Sequence, residues 1–159
     1  IVSDSSAPLE LDDGSIDLIV SDYCFEHVED PERVSSELDR VLKVGGWICA
    51  RTPNRWGYIA VSARMVPNRW HVSALKTLQP TRQAVDVFPT HYRLNTERDL
   101  KAYFPPKRFR HCGYAHSGPP AYFGSGMAIN RAVRSVLRWT PERLYPVLFV
   151  FMQKTEGAT

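Results

Sequence analysis

The sequence predicts an α/β fold built on a parallel sheet, and three observations within residues 16–54 carry that expectation. An apolar run at Leu18, Ile19 and Val20 reads as a strand. A proline-started amphipathic stretch follows it, and a second apolar run then reaches Thr52. Strand, helix and strand in this order form a crossover unit, and crossovers join parallel neighbours.

The first expected strand is Ile16 to Ser21, where the apolar residues run together rather than alternate. Such a run predicts cover on both faces. For the helix, Asp30 is placed to cap free N–H groups, Pro31 suits the first position and Glu32 favours the positive end of the dipole. Val34, Leu38, Val41 and Leu42 form its expected core face. Gly45 and Gly46 are the expected stop, because glycine accepts the left-handed conformation at a helix C-terminus. The second strand is then Trp47 to Thr52, ended by Pro53, which has no N–H for a sheet ladder.

Outside that unit, Ile1-Val2-Ser3-Asp4 resembles the end of an earlier strand. Residues 55–95 hold two short apolar stretches that read by pattern as core packing or an amphipathic lid. Arg55, Arg64, Arg69 and Lys76 on its polar side give it the composition of a peripheral membrane contact as well. Thr96 or Asn95 should cap a helix with Glu97 and Asp99 in its first turn and Leu100, Tyr103 and Phe104 facing inward. Lys107 to Tyr114 alternates as a strand. Residues 113–126, rich in Gly, Pro and Ser, read as a flexible loop or hairpin. A helix over Met127–Trp139, a short helix after Thr140-Pro141-Glu142, an apolar strand at Val147–Met152 and a loose tail at 156–159 complete one domain over residues 1–155.

The 159 residues are 43% apolar and 23% charged, which suits a folded domain with a core. No run of about 18 apolar residues exists to span a membrane. Three scattered cysteines, Cys24, Cys49 and Cys112, predict free thiols in a reducing, cytoplasmic setting. The five histidines are scattered too, so no metal site is expected. The net charge of +3 hides an asymmetry: residues 1–39 carry 12 acidic side chains against Arg33 alone, and Arg40 to Val85 carry no acid. A solvated basic surface is the plain reading, and an anionic substrate or lipid surface the sharper one. No motif points to nucleic acid.

Three phrases in order carry a family resemblance: Asp13-Gly14-Ser15-Ile16-Asp17-Leu18, Phe25-Glu26-His27-Val28-Glu29-Asp30-Pro31 and Arg40-Val41-Leu42-Lys43-Val44-Gly45-Gly46. They closely resemble strand four, the following helix and strand five of the class I, Rossmann-like S-adenosylmethionine-dependent methyltransferases. The resemblance implies strands four to seven plus the end of strand three, with the last strand antiparallel between five and six and residues 55–95 as an insertion covering a substrate. It also implies that the amino-terminal strands and their glycine-rich turn are truncated, since no G-x-G-x-x-G motif stands in the chain.

Residue by residue, the resemblance implies that Asp4 and Ser5 meet the adenine and that Asp22 and Tyr23 line the methionine part of the cofactor S-adenosylmethionine. Glu26 and His27 suggest an acid–base pair, His27 being the candidate catalytic base, although capping and loop packing explain the same spacing. His91 and Arg93 are candidate substrate contacts. The implied activity is methyl transfer to a small-molecule acceptor, with oxygen, nitrogen and carbon acceptors all open and the oligomeric state unspecified. The competing reading is a non-catalytic, methyltransferase-like module that binds a partner through its open sheet edge.

Overall fold

The computed structural model describes residues 8–58, 60–61, 89–117 and 138–156. The expected strand end at Ile1–Asp4, most of the 55–95 insertion, the rest of the 113–126 loop, most of the 127–139 helix and the last three residues of the tail lie outside the described residues.

Two strands and a helix form the predicted crossover. Strand β1 (Ile16–Asp22) runs parallel to β2 (Leu42–Pro53), and α1 (Pro31–Val41) connects them. The helix begins as its sequence dictates: Asp30 Oδ1 accepts the Arg33 N–H at 3.1 Å, and Pro31 occupies the first turn. The capped helix α2 (Glu97–Tyr103) follows the same rule, with Thr96 Oγ1 accepting from Asp99 N at 3.0 Å. Strand β5 (Val147–Lys154) enters antiparallel between β2 and β3 (Phe109–His111), and β4 (Tyr114–His116) pairs further along β5. The order β1-β2-β5-β3 is therefore the expected four, five, seven, six.

The core lies on the sheet face that carries Ile48, Ala50, Val150 and Met152. Phe25, Leu94, Leu100, Phe104 and Phe109 close over it, with Phe104 and Phe109 in edge-to-face contact at 5.3 Å. Each such side chain removed from water contributes about 1.5–3 kcal/mol. Behind this layer Lys154 is buried, donating to the carbonyls of Asp39 and Leu42 at 2.6 and 2.9 Å and ion-pairing with Asp39. That contact fastens the end of the last strand to the end of α1.

Several expectations need correction. The helix does not run to Gly45-Gly46; it ends at Val41, and Leu42 is already extended at the start of β2. The glycines serve a bulge instead. Pairing moves from Ile16↔Leu42 to Leu18↔Trp47, so two steps along β1 match five along β2. Gly45 absorbs the excess at φ +85°, and a Cβ on Gly46 would stand 3.0 Å from the Asp17 carbonyl oxygen. Strand β1 is not covered on both faces: Leu18 and Val20 are 55% and 71% exposed. The stretch expected as one strand over Lys107–Tyr114 is split, because Cys112 N bonds Phe151 O while Gly113 lies against the Phe149 backbone. The short helix after Pro141 is a single 3-10 turn, Glu142–Leu144, without a side-chain cap. The three cysteines are free thiols, but only Cys49 is partly buried.

Candidate functional site

Parallel strands place their carboxyl ends side by side, and in α/β sheets ligands bind there. In this chain Asp22 and Arg51 are register partners at that end of β1 and β2. Their side chains meet in a two-pronged ion pair, Arg51 Nε to Asp22 Oδ1 at 2.6 Å and Nη2 to Oδ2 at 2.7 Å. The hydrogen bonds from Arg51 hold the Asp22 carboxyl below its ordinary range, so the pair stays ionised at neutral pH. Tyr23 turns immediately afterwards with φ +51°, its N–H bonded to the Arg51 carbonyl at 2.8 Å. Its ring lies over the Arg51 guanidinium at 4.7 Å.

The chain then makes the 3-10 turn Phe25–His27, anchored by buried Phe25. Glu26 is buried as well and points inward. Its Oε2 accepts from Thr52 Oγ1 at 3.2 Å, and Thr52 Oγ1 accepts from Asn95 Nδ2 at 2.6 Å. Asn95 Nδ2 also donates to the Pro53 carbonyl at 2.9 Å. Residues 89–95 are thereby joined to the turn after β1 and to the end of β2. Backbone contacts repeat the join: His91 N and Tyr92 N both donate to Glu26 O. His27 Nδ1 donates to Pro89 O at 2.8 Å, and Arg93 Nη1 donates to Glu29 O at 2.6 Å.

The structure therefore gathers Asp22, at the end of β1, with Tyr23, His27, His91 and Arg93 on the two adjoining loops at one end of the sheet. Asp4 and Ser5 lie outside the described residues. Glu26, read as a partner for His27, directs a carboxylate oxygen at Thr52. Because a carbonyl only accepts, the bond to Pro89 assigns the proton of a neutral His27 to Nδ1 and leaves the lone pair on Nε2. The sequence reading passed over Arg51, Thr52 and the side chain of Asn95. Arg51 carries no local signal, because only the parallel register sets it opposite Asp22. Among the described residues no group of three or more His, Cys, Asp and Glu side chains is placed to hold a metal ion. No helix among them is long and apolar enough to cross a membrane.

Comparison with known proteins gives three findings. Residues 1–50 match the family model described as methyltransferase domain. No curated protein matches the chain. Among solved structures, an S-adenosylmethionine-dependent methyltransferase from Thermotoga maritima is 16% identical with a TM-score of 0.56, over 92% of this chain and 59% of its own. A complex of the Haloferax volcanii Trm112 methyltransferase activator with a methyltransferase gives 16% identity and 0.53, over 95% and 59%. Geranyl diphosphate C-methyltransferase from Streptomyces coelicolor A3(2), solved with Mg2+, geranyl diphosphate and S-adenosyl-L-homocysteine, gives 15% and 0.51, over 91% and 48%. The chain thus spans about half to three-fifths of the length of these structures. Its strand order and these likenesses agree: the chain has the fold of the class I, Rossmann-like methyltransferases, and its first 50 residues carry the sequence signature of a methyltransferase domain.

Proposed function

We propose that these residues form the carboxyl-terminal part of an S-adenosylmethionine-dependent methyltransferase that acts on a small molecule. The observation that carries the reading is Asp22-Tyr23 at the carboxyl edge of the parallel pair, beside the loop cluster that bears His27, His91 and Arg93. An anionic side chain and an aromatic ring there suit the amino group and the aliphatic stem of the cofactor's methionine end. Asp4 and Ser5 would meet its adenine. When bound, the cofactor supplies a methyl group on a sulfonium that is its own leaving group.

The chain's residues then have a modest task, to align the acceptor and to exclude water. His27 is the group on these segments suited to take a proton from an O–H or N–H acceptor. His91 and Arg93 stand on the neighbouring loop as substrate contacts. The exposed Leu18 and Val20 on the sheet face opposite α1 support the view that further chain belongs against β1. The same exposure favours a second reading, a non-catalytic module that binds a protein partner on that face.

Isothermal titration calorimetry with S-adenosylhomocysteine separates the two. Saturable binding in the micromolar range, lost in Asp22→Ala, supports the enzyme reading. A folded sample that gives no heat removes it for this chain and favours the partner-binding module.

A further inference from the structure

We propose that Arg51 is the anion-recognising residue of the candidate site, receiving a carboxylate or phosphate group of the bound ligand with Asp22 as its displaceable counter-ion. The inference rests on the functional reading above for its location, and on the Arg51 geometry for its chemistry. A guanidinium presents five N–H donors in a planar fork that matches carboxylate and phosphate oxygens. Arg51 directs Nε and Nη2 at Asp22, and no hydrogen bond from its Nη1 is made among the described residues. The side chain is 44% exposed, at the strand end where ligands of this sheet type bind.

Tyr23 supplies the second observation. A bulky aromatic residue at φ +51° is a backbone outlier, and here the outlier places a ring on one face of the guanidinium at 4.7 Å. The strain of such a residue generally exceeds what an exposed ion pair returns in stability. Folding alone therefore does not account for the arrangement. Fixing the plane of Arg51 does, because a pre-oriented fork loses little freedom when an anion docks on its open edge. Asp22 meanwhile keeps the guanidinium compensated until that anion arrives.

Two sources of the anion share this chemistry: the terminal carboxylate of the cofactor, or an acidic group on the acceptor. Calorimetry on the full chain and on Arg51→Met, Arg51→Lys and Asp22→Asn distinguishes them, using inorganic pyrophosphate, S-adenosylhomocysteine and 5′-methylthioadenosine, which lacks the carboxylate. The Arg51 side-chain Nε–H signal, followed by 15N NMR, reports the contact directly. In the wild-type chain pyrophosphate should bind saturably and move that signal. Arg51→Met should weaken pyrophosphate by about ten-fold or more, the scale of a charge-assisted hydrogen bond. Arg51→Lys should keep part of the affinity, and Asp22→Asn should tighten it by about two- to five-fold, the scale of an exposed ion pair.

Loss of S-adenosylhomocysteine binding in Arg51→Met, with 5′-methylthioadenosine unchanged, assigns the anion to the cofactor. Unchanged S-adenosylhomocysteine binding with lost pyrophosphate binding assigns it to the acceptor. Pyrophosphate bound through Arg51 in a chain that binds neither nucleoside supports the inference and removes the methyltransferase reading. Wild-type affinities for pyrophosphate and S-adenosylhomocysteine in Arg51→Met overturn the inference. So does a wild-type chain that ignores pyrophosphate and binds the two nucleosides equally.

Discussion

Replacing Asn95 by Ala should loosen the candidate site from inside the core. Asn95 is fully buried, and its Nδ2 donates to Thr52 Oγ1 at 2.6 Å and to Pro53 O at 2.9 Å. Each bond contributes about 1 kcal/mol net, and a half-buried carbonyl left without a donor adds about 1 kcal/mol of desolvation cost. Thr52 keeps its donation to Glu26, so the Pro53 carbonyl bears most of that penalty. Asn95 Oδ1 is buried without a hydrogen-bond partner among the described residues, and its removal returns a little of the cost. The balance is about 2–3 kcal/mol, equivalent to a fall in Tm of roughly 5–10 °C for a chain of this size.

Thermal unfolding followed by circular dichroism measures that fall. Amide hydrogen exchange locates it: the N–H groups of His91 and Tyr92, bonded to Glu26 O at 2.7 and 3.2 Å, should lose protection before those of β2 and β5. Asn95→Asp should be worse at neutral pH, since a carboxylate would face the Pro53 carbonyl near Glu26, and should recover as acid protonates it. A stability change within about 0.5 kcal/mol, with His91 and Tyr92 exchanging as in the wild type, would refute the relay from Asn95 through Thr52 to Glu26.

Four further outcomes are expected. Lys154→Met should cost about 3 kcal/mol in chemical denaturation, because it strands the carbonyls of Asp39 and Leu42 and leaves Arg108 as the one cation paired with Asp39 among the described residues. Arg40 hydrogen bonds, with help from the Leu9 N–H, lower the Glu37 carboxyl from 4.5 to about 2, so the stability it contributes is complete above 4.5 and fades as pH falls toward 2. The stability gap between wild type and Glu37→Gln should accordingly be widest near neutral pH and close in acid. Gly57→Ala should destabilise by about 1–3 kcal/mol through overpacking, since a Cβ there would meet Pro146 Cα at 2.7 Å. Gly45→Ala meets no atom within 4 Å, so it should show only the strain of φ +85°.

Local chemistry made much of this fold readable. Asp30-Pro31 and Thr96 announce helix starts through short-range caps, and both caps form as the residues dictate. The apolar runs around Ile19 and Ile48 give the strands, and the crossover length gives their parallel pairing. Gly45-Gly46 misled because a positive φ is demanded equally by a helix stop and by a strand bulge, and only the pairing with β1 decides between them. The cover expected over Leu18 and Val20 failed for a different reason. A continuous apolar run reports that a face should be buried, not which part of a protein buries it.

The placement of the candidate residues was legible at Asp22 and Tyr23, which follow a strand end, and in the loop phrases that hold His27, His91 and Arg93. It was illegible where it depends on partners far apart in sequence. Thr52 and Asn95 are 43 residues apart, and nothing local to either marks the hydrogen bond between them. Arg51 becomes informative only once the register sets it opposite Asp22.

In the proposed function the carboxyl edge of β1 and β2 receives an S-adenosyl ligand. A 1H–15N correlation titration of the folded chain with S-adenosylhomocysteine tests it most directly. The largest saturable shifts are expected at the amides of Asp22, Tyr23 and Cys24, with smaller ones at His27 and His91. A folded spectrum that stays unchanged, or that moves only at residues of α2 and β3, would contradict it.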